Sequence, residues 1–265
     1  MNSIYNALIE AEKTYLSVAL CTVVSTRGST PRRAASKMIV FPDGHIIGSV
    51  GGGELEERVK QEAIQSITSQ KPILLSYKMS NPEKGDVGVC GGQLDIFVEP
   101  ILPAPTIIIV GGGHVGKALA HLAKWLGDRI VISDDRPEFC TLEQNPDADK
   151  FLPIPLAEIP IEIEINPRTS IVLTTRGSSI DIAGLPALLE TTAGYIGVIG
   201  SRKRWAETCK GLNELGITDE QLSRIHSPIG IGIGAETPEE IAISIMAEIL
   251  LLRNSGSGKH MSEPR

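Results

Sequence analysis

A glycine-rich turn between a buried strand and a helix restricts the fold of this chain more than any other feature. The apolar run Ile107–Val110 is followed by the letters GGGHVG at 111–116 and then by an amphipathic helix. This is the G-x-G-x-x-G pattern in the strand-turn-helix context of dinucleotide-binding βαβ units. Gly111 permits the tight turn, Gly113 lets a phosphate approach the backbone, and Gly116 lets the helix pack on the strand. The pattern predicts a Rossmann-like fold with these glycines at a cofactor.

The second strand of this unit ends in charged residues at the expected distance from the glycines. Asp134 follows the strand Ile130–Ser133, at the place where an acidic residue binds a ribose hydroxyl in such folds. Arg136 stands where a 2′-phosphate could be accommodated, so the choice between NAD and NADP stays open. His114 lies at the positive end of a helix, which favours a neutral ring, and both a structural role and a ligand contact stay open for it.

Strands and helices alternate regularly through the second half of the chain. Apolar strands that alternate with helices predict an α/β fold with a doubly wound parallel sheet covered on both faces. Ser201 can cap the helix after the last strand, and Arg202 begins a basic group at the carboxyl end of that strand. A phosphate site and a solvated helix start are both open readings of this group. The predicted elements are strands at Thr106–Val110, Ile130–Ser133, Ser170–Thr174 and Tyr195–Ile199, with helices at Val115–Leu126, Ile182–Glu190 and Lys203–Leu215.

Three prolines between Pro100 and Pro105 mark the clearest domain boundary. We predict an N-terminal α+β domain over residues 1–100, a Rossmann-like dinucleotide-binding domain over 106–254 and a disordered tail over 255–265. A turn at Phe41–His45 predicts a hairpin in the first domain, because Pro42 presets a turn dihedral. The predicted elements there are strands at Ser17–Val24, Lys37–Phe41, His45–Val50, Ile73–Lys78 and Leu94–Glu99, with one helix at Glu54–Ile67.

Two loops of the first domain carry residues that suit an anionic ligand. Gly51, Gly52 and Gly53 join a strand to a helix, where bare amides favour an anionic group. The basic loop over residues 27–33 includes Arg27 and Arg32, whose guanidinium groups suit bidentate recognition of phosphate.

A third loop places Cys90 among glycines, with Gly91 and Gly92 directly before a strand. Such a thiol is poorly shielded, and adjacent amides or a cation could stabilise its thiolate. We therefore favour a functional role for Cys90 over core packing. If this loop shares one rim with the other two, the three form a pocket with an anion site and a soft sulfur ligand.

Composition excludes several classes of protein. The net charge of -7 argues against a nucleic-acid surface. The longest nearly apolar stretch, Ile241–Leu252, is shorter than a membrane span. Four scattered cysteines without a C-x-x-C pair fit a cytoplasmic protein. We expect a homodimer, because the apolar helix Pro238–Leu252 has more surface to bury than one small domain covers.

Runs in both halves resemble, in order, those of the XdhC/CoxI family of accessory proteins for xanthine dehydrogenase and related molybdenum hydroxylases. The resemblance covers roughly residues 14–253. The runs that carry it are TRGSTPR at 26–32, GGG at 51–53 followed by LE at 55–56, CGG at 90–92, GGGHVG at 111–116, DDRPEF at 134–139, YIGVIGSRKR at 195–204 and PEEIAISIMAEI at 238–249.

The resemblance implies a carrier rather than an enzyme. Such a protein binds molybdenum cofactor (molybdopterin), shields it while a cysteine desulfurase supplies the terminal sulfur, and hands it to an apo molybdenum hydroxylase of the xanthine dehydrogenase type. In that picture Cys90 and the two glycine loops of the first domain hold the molybdopterin. The second domain then binds a nucleotide or the pterin phosphate.

The chain departs from the family pattern at three polar positions. Glu54 replaces a cysteine, the run 174–177 replaces Thr-His-x-His, and Gly232 replaces an aspartate, whereas Asp181 fits. These changes argue against a metal site and against cofactor handling by a cysteine pair. Two alternatives to the carrier stay open: an NAD(P)-dependent oxidoreductase, and a nucleotide-sensing interaction protein.

Overall fold

The computed structural model describes residues 3–79, 87 and 91–262. The chain divides into two units, Met1–Pro103 and Ala104–Arg265. Cys90 lies outside the described residues, so the predicted role of its thiol stays a prediction. In the described part of the chain, no helix is long and apolar enough to cross a membrane.

The first unit is built on an antiparallel sheet with the strand order β3-β2-β1-β5-β4. The predicted hairpin at Phe41–His45 joins β2 to β3, which pair in antiparallel register. Its turn closes through a hydrogen bond from the Phe41 amide to the His45 carbonyl oxygen, and Gly44 adopts a φ of 82°. The elements are α1 (Ile4–Lys13), β1 (Val18–Arg27), β2 (Lys37–Val40), β3 (Ile46–Gly48), α2 (Gly53–Ser69), β4 (Ile73–Lys78) and β5 (Gln93–Ile101).

Helix α2 covers one face of this sheet. Leu55, Val59 and Ala63 recur at helical spacing and are buried in the same cluster as the inward-facing residues of β1 and β5. Helix α1 belongs to a separate, smaller cluster with Ile39. The apolar period of α2 therefore sets the helix on the sheet and fixes where its N-terminus lies.

The linker predicted to begin at Pro100 begins later. Strand β5 continues to Ile101, and Pro100 lies opposite Ala19 of β1. The proline is tolerated because the pairing of β4 with β5 reaches only to Val98, which leaves Pro100 a strand neighbour on one side alone.

The second unit confirms the predicted α/β class with a doubly wound sheet. All strand pairs in it are parallel, and the strand order is β11-β10-β9-β6-β7-β8. The chain runs outward from β6 to one edge and then from β9 to the other, so the topological switch point lies between β6 and β9. The elements are β6 (Thr106–Val110), α3 (His114–Trp125), β7 (Arg129–Ser133), β8 (Lys150–Leu152), α4 (Ile159–Glu162), β9 (Thr169–Leu173), α5 (Ser178–Leu189), β10 (Tyr195–Val198), α6 (Arg202–Glu214), α7 (Asp219–Leu222), β11 (Ile225–His226) and α8 (Pro238–Arg253).

Helix α8 finds most of its cover within its own unit. Ile245, Met246 and Ile249 are buried with α3 and the residues of β6 and β7. Ile243 and Leu252 keep 52% and 45% of their surface exposed. The premise of the dimer prediction therefore holds only for these exposed positions of the helix.

Candidate functional site

The basic loop of the first unit lies directly against the turn that follows Cys90. A Cβ atom placed on Gly92 would lie 2.0 Å from the carbonyl oxygen of Ser29, and one on Gly28 would lie 3.0 Å from that of Gly91. Both distances are too short for a side chain without displacement. Glycines are required here because the two backbones touch.

The triple-glycine loop joins the same rim. A Cβ on Gly51 would lie 3.0 Å from Cγ of Pro31 in the basic loop. Arg32 also reaches this loop, since its Nε donates to Oγ of Ser49 at 3.3 Å. The structure thus brings the basic loop, the triple-glycine loop and Gly91–Gly92 together, as the pocket hypothesis requires.

The amides of the triple-glycine loop already have an acceptor, which the sequence analysis missed. Oε1 of Glu56 accepts from the amides of Gly52 at 2.8 Å, Val50 at 3.2 Å and Gly51 at 3.3 Å, and from the hydroxyl of Ser49. Burial raises the pKa of Glu56, but these hydrogen bonds outweigh it and hold the pKa below its ordinary value. The predicted anion site at Gly51 and Gly52 is therefore filled by the protein's own carboxylate.

The signal for this contact is an acid in the first turn of a helix that follows glycines, where carboxylates favour free amides. Glu54 shares that turn but does not point to the nest. Its side chain pairs with Arg58 one turn on, at 2.6 Å, and is 57% exposed. The departure from cysteine at this position therefore puts a solvated ion pair beside the loop.

Free positive charge on the rim comes from its arginines. Arg27, Arg32 and Arg33 are exposed. Since Glu56 occupies the loop amides, these guanidinium groups are the cations that the rim offers to a bound anion.

The Rossmann loop of the second unit has the geometry that its glycine spacing predicts. Gly111 has a φ of 112°, and a Cβ on it would lie 2.7 Å from the carbonyl oxygen of Thr174. A Cβ on Gly116 would lie 2.0 Å from the Gly111 carbonyl oxygen, so this glycine lets α3 pack onto the turn. A Cβ on Gly113 would meet no atom within 4 Å. Open space therefore faces Gly113, the position where a phosphate is expected to approach.

Asp134 is not available in the way its sequence position predicts. Its Oδ1 accepts from the backbone amide and Nε of Arg136 at 3.1 and 2.9 Å, and its Oδ2 accepts from Nη2 of Arg136 at 2.9 Å and the amide of Gly112 at 3.1 Å. Burial raises the pKa of Asp134, but the hydrogen bonds and charge of Arg136 hold it below its ordinary value. The guanidinium carbon of Arg136 also lies 4.0 Å above the ring of Phe139.

The run that departs from Thr-His-x-His holds an ion-pair network instead. Arg176 pairs with Asp135 at 2.9 Å, with both side chains about half exposed. Thr175 and the fully buried Asp181 share a hydrogen bond, and Nη2 of Arg204 donates to both, at 2.7 and 2.6 Å. This buried group ties the end of β9 to the first turns of α5 and α6.

One cleft gathers part of the predicted set. Its lining includes Gly111, Gly113, Asp134 and Arg136, together with Arg176.

The other predicted residues of this unit lie elsewhere. Ser201 caps α6 by accepting the amide of Arg204 at 3.2 Å, and Arg202 is exposed at the start of that helix. His114 lines a different groove, between α3 and α8, with His121. Of the open roles, helix capping is thus the observed one for Ser201. Over residues 3–79, 87 and 91–262, no three His, Cys, Asp or Glu residues are grouped to hold a metal ion.

A Rossmann unit preceded by an α+β unit, with glycine and arginine loops in the first and a phosphate-type cleft in the second, defines a two-domain cofactor-binding protein. The comparison with protein families agrees. Residues 107–249 match the XdhC Rossmann domain, and residues 13–78 match the XdhC and CoxI family. The chain belongs to the XdhC/CoxI family.

Several named proteins are similar to this chain. The uncharacterized protein YqeB of Escherichia coli is 33% identical over 264 residues, covering 99% of this chain and 48% of its own. A protein of Bacillus subtilis named as a probable xanthine dehydrogenase component is 32% identical over 159 residues, which is 60% of this chain and 46% of that protein. The molybdenum cofactor insertion chaperone PaoD of E. coli is 23% identical, covering 92% of this chain and 86% of its own.

The chain spans about half the length of the first two of these relatives. Among solved structures, one described as a xanthine dehydrogenase from Bacillus halodurans aligns over 99% of this chain and 98% of its own, with a TM-score of 0.51 and 24% identity. That likeness extends the shared fold over both units.

Proposed function

We propose that this protein binds molybdenum cofactor and delivers it to an apo molybdenum hydroxylase of the xanthine dehydrogenase type. The observation that carries the proposal is the convergence of the basic loop, the triple-glycine loop and Gly91–Gly92 on one rim, directly beside Cys90 in the chain. Family membership and the similarity to PaoD support it.

The rim fits the chemistry of the cofactor's anionic end. Molybdopterin ends in a phosphate, and Arg27 and Arg32 would hold that group through charge-assisted hydrogen bonds. Gly91 and Gly92 would leave the backbone open to the pterin, and Cys90 would lie near the metal. Gly51–Gly53 would contribute shape rather than free amides, because Glu56 already accepts those hydrogen bonds. The cofactor, when bound, supplies the redox chemistry of the client enzyme; this chain's residues bind and orient it.

The remaining partners follow from the same proposal. A cysteine desulfurase would supply the terminal sulfur while the cofactor is held. The scattered cysteines suit the reducing cytoplasm, where we place this work. A homodimer would cover the exposed Ile243 and Leu252 of α8.

An oxidoreductase using NAD has less support. All four lone-pair positions of the Asp134 carboxylate are taken by Arg136 and Gly112, so no acceptor remains for a ribose diol.

The test is anaerobic loading of the purified chain with released molybdenum cofactor. Gel filtration follows, with fluorescence detection of the oxidised pterin. The variants are Cys90→Ala and Arg32→Gln, and the control is Lys13→Gln, because Lys13 is an exposed cation on α1. We expect pterin to co-elute with the wild type and with Lys13→Gln, and to be lost or strongly reduced in the two rim variants. Absence of pterin from the wild type, or equal loading of all four proteins, would refute the assignment.

A further inference from the structure

The pairing of Asp134 with Arg136 decides what the Rossmann cleft can recognise. A vicinal ribose diol needs a carboxylate acceptor at this position. A carboxylate has about four acceptor sites, and Asp134 uses them on three donors of Arg136 and the amide of Gly112. Because Asp134 is only 4% exposed, it cannot rotate into the cleft without breaking that set.

The same pairing leaves Arg136 as a donor facing the cleft. Its Nε and Nη2 bind Asp134, while its Nη1 makes no hydrogen bond to any described residue. Stacking on Phe139 fixes the plane of the guanidinium. A guanidinium held on one edge and open on the other is preorganised for a planar or tetrahedral oxyanion.

Arg176 supplies a second cation at the mouth of the cleft. Its pair with Asp135 is about half exposed on both sides, and such exposed pairs contribute little stability. Arg176 can therefore turn from Asp135 to a bound anion at small cost. The cleft encloses about 80 Å³, below the roughly 300–1,000 Å³ of pockets that enclose a whole small molecule. Its size and its donors suit a single anionic group.

We propose that this cleft binds a phosphomonoester through Arg136 and Arg176 and discriminates against an unphosphorylated ribose diol. Two ligands carry that chemistry: a nucleotide with a 2′-phosphate, as in NADP, and the molybdenum cofactor with its terminal phosphate. Only the second source rests on the proposed function.

The experiment measures equilibrium binding to the full chain by calorimetry. The probes are NADP+, NAD+ and, under anaerobic conditions, released molybdenum cofactor. Arg136→Gln removes the donor and frees Asp134, Arg176→Gln removes the second cation, and Lys210→Gln is the control, because Lys210 is exposed on α6 away from the cleft. Melting curves verify that each variant is folded.

If the phosphate comes from a nucleotide, NADP+ binds at least about tenfold more tightly than NAD+, as expected for a charge-assisted hydrogen bond. Arg136→Gln then abolishes the preference, because NADP+ weakens and the freed Asp134 lets NAD+ bind better. If the phosphate comes from the cofactor, neither dinucleotide binds, and cofactor affinity falls about tenfold in folded Arg136→Gln or Arg176→Gln.

Equal affinity for NAD+ and NADP+ would overturn the proposal. So would binding of every phosphate-bearing probe that is unchanged in both arginine variants, or no binding of any probe. Loss of cofactor binding in Arg32→Gln but not in Arg136→Gln would refute this inference and leave the proposed function standing.

Discussion

Removal of the Glu56 carboxylate tests how the triple-glycine loop is held. In Glu56→Ala the amides of Gly52, Gly51 and Val50 and the hydroxyl of Ser49 lose their common acceptor. Only the Gly52 contact, at 2.8 Å, has the length of a strong charge-assisted bond, and the contacts at 3.2–3.3 Å contribute less. One strong bond to a charged group corresponds to about 2 kcal/mol of unfolding free energy. For a domain of this size that is a melting temperature lower by about 10 °C.

The effect depends on pH with a definite sign. The pKa of Glu56 is lower in the folded state than its ordinary value of 4.5. Its contribution to stability is therefore fully present above pH 4.5 and is lost as the pH falls through the lowered folded value. We expect the stability difference between wild type and Glu56→Gln to be constant near neutral pH and to shrink in acid.

An added oxyanion separates this explanation from a general loss of packing. Glu56→Ala leaves the loop amides free at the start of α2, where sulfate or phosphate can bind. An anion at about ten times its Kd restores about 1.4 kcal/mol. Since sulfate also stabilises proteins generally, the measured quantity is the gain of the variant beyond that of wild type, by urea unfolding at matched ionic strength. Glu56→Gln still fills the loop and serves as the control.

A change below about 0.5 kcal/mol in Glu56→Ala, typical of surface substitutions without a specific contact, would refute the assignment. So would equal stabilisation of wild type and variant by sulfate.

The remaining predictions concern the second unit and self-association. Asp181→Asn or Arg204→Met alone should cost about 3–5 kcal/mol of unfolding free energy, because each leaves a buried partner, whereas Asp181→Leu with Arg204→Met should cost less than the sum; additive losses in urea titrations would contradict a coupled pair. Gly116→Ala should lower stability by more than about 2 kcal/mol, since its Cβ would lie 2.0 Å from a carbonyl oxygen, while Gly113→Ala, with open space around it, should unfold like wild type; equal melting temperatures would refute the difference. Light scattering at micromolar concentration should give a dimer that Ile243→Lys dissociates, and a wild-type monomer would dismiss the dimer.

The predictions that succeeded rest on local patterns. The strand-turn-helix context of GGGHVG, the regular alternation of apolar strands and helices, and the hairpin at Phe41–His45 each depend on turn chemistry and on periodicity over a few residues. The boundary at Pro100 was placed too early, since a proline is tolerated where the neighbouring strand has ended. That fact depends on strand pairing rather than on sequence.

The sequence by itself therefore determined the two kinds of domain, the glycine positions and the family. Only the tertiary structure decided which charged groups are free. Asp134 and Gly112 are 22 residues apart, and Arg204 and Asp181 are 23 apart. Whether such groups pair with each other or face a ligand depends on distances of a few tenths of an ångström between separate elements. A carboxylate that the sequence offers to a ribose is thus satisfied within the protein, because its nearest donors belong to the folded chain.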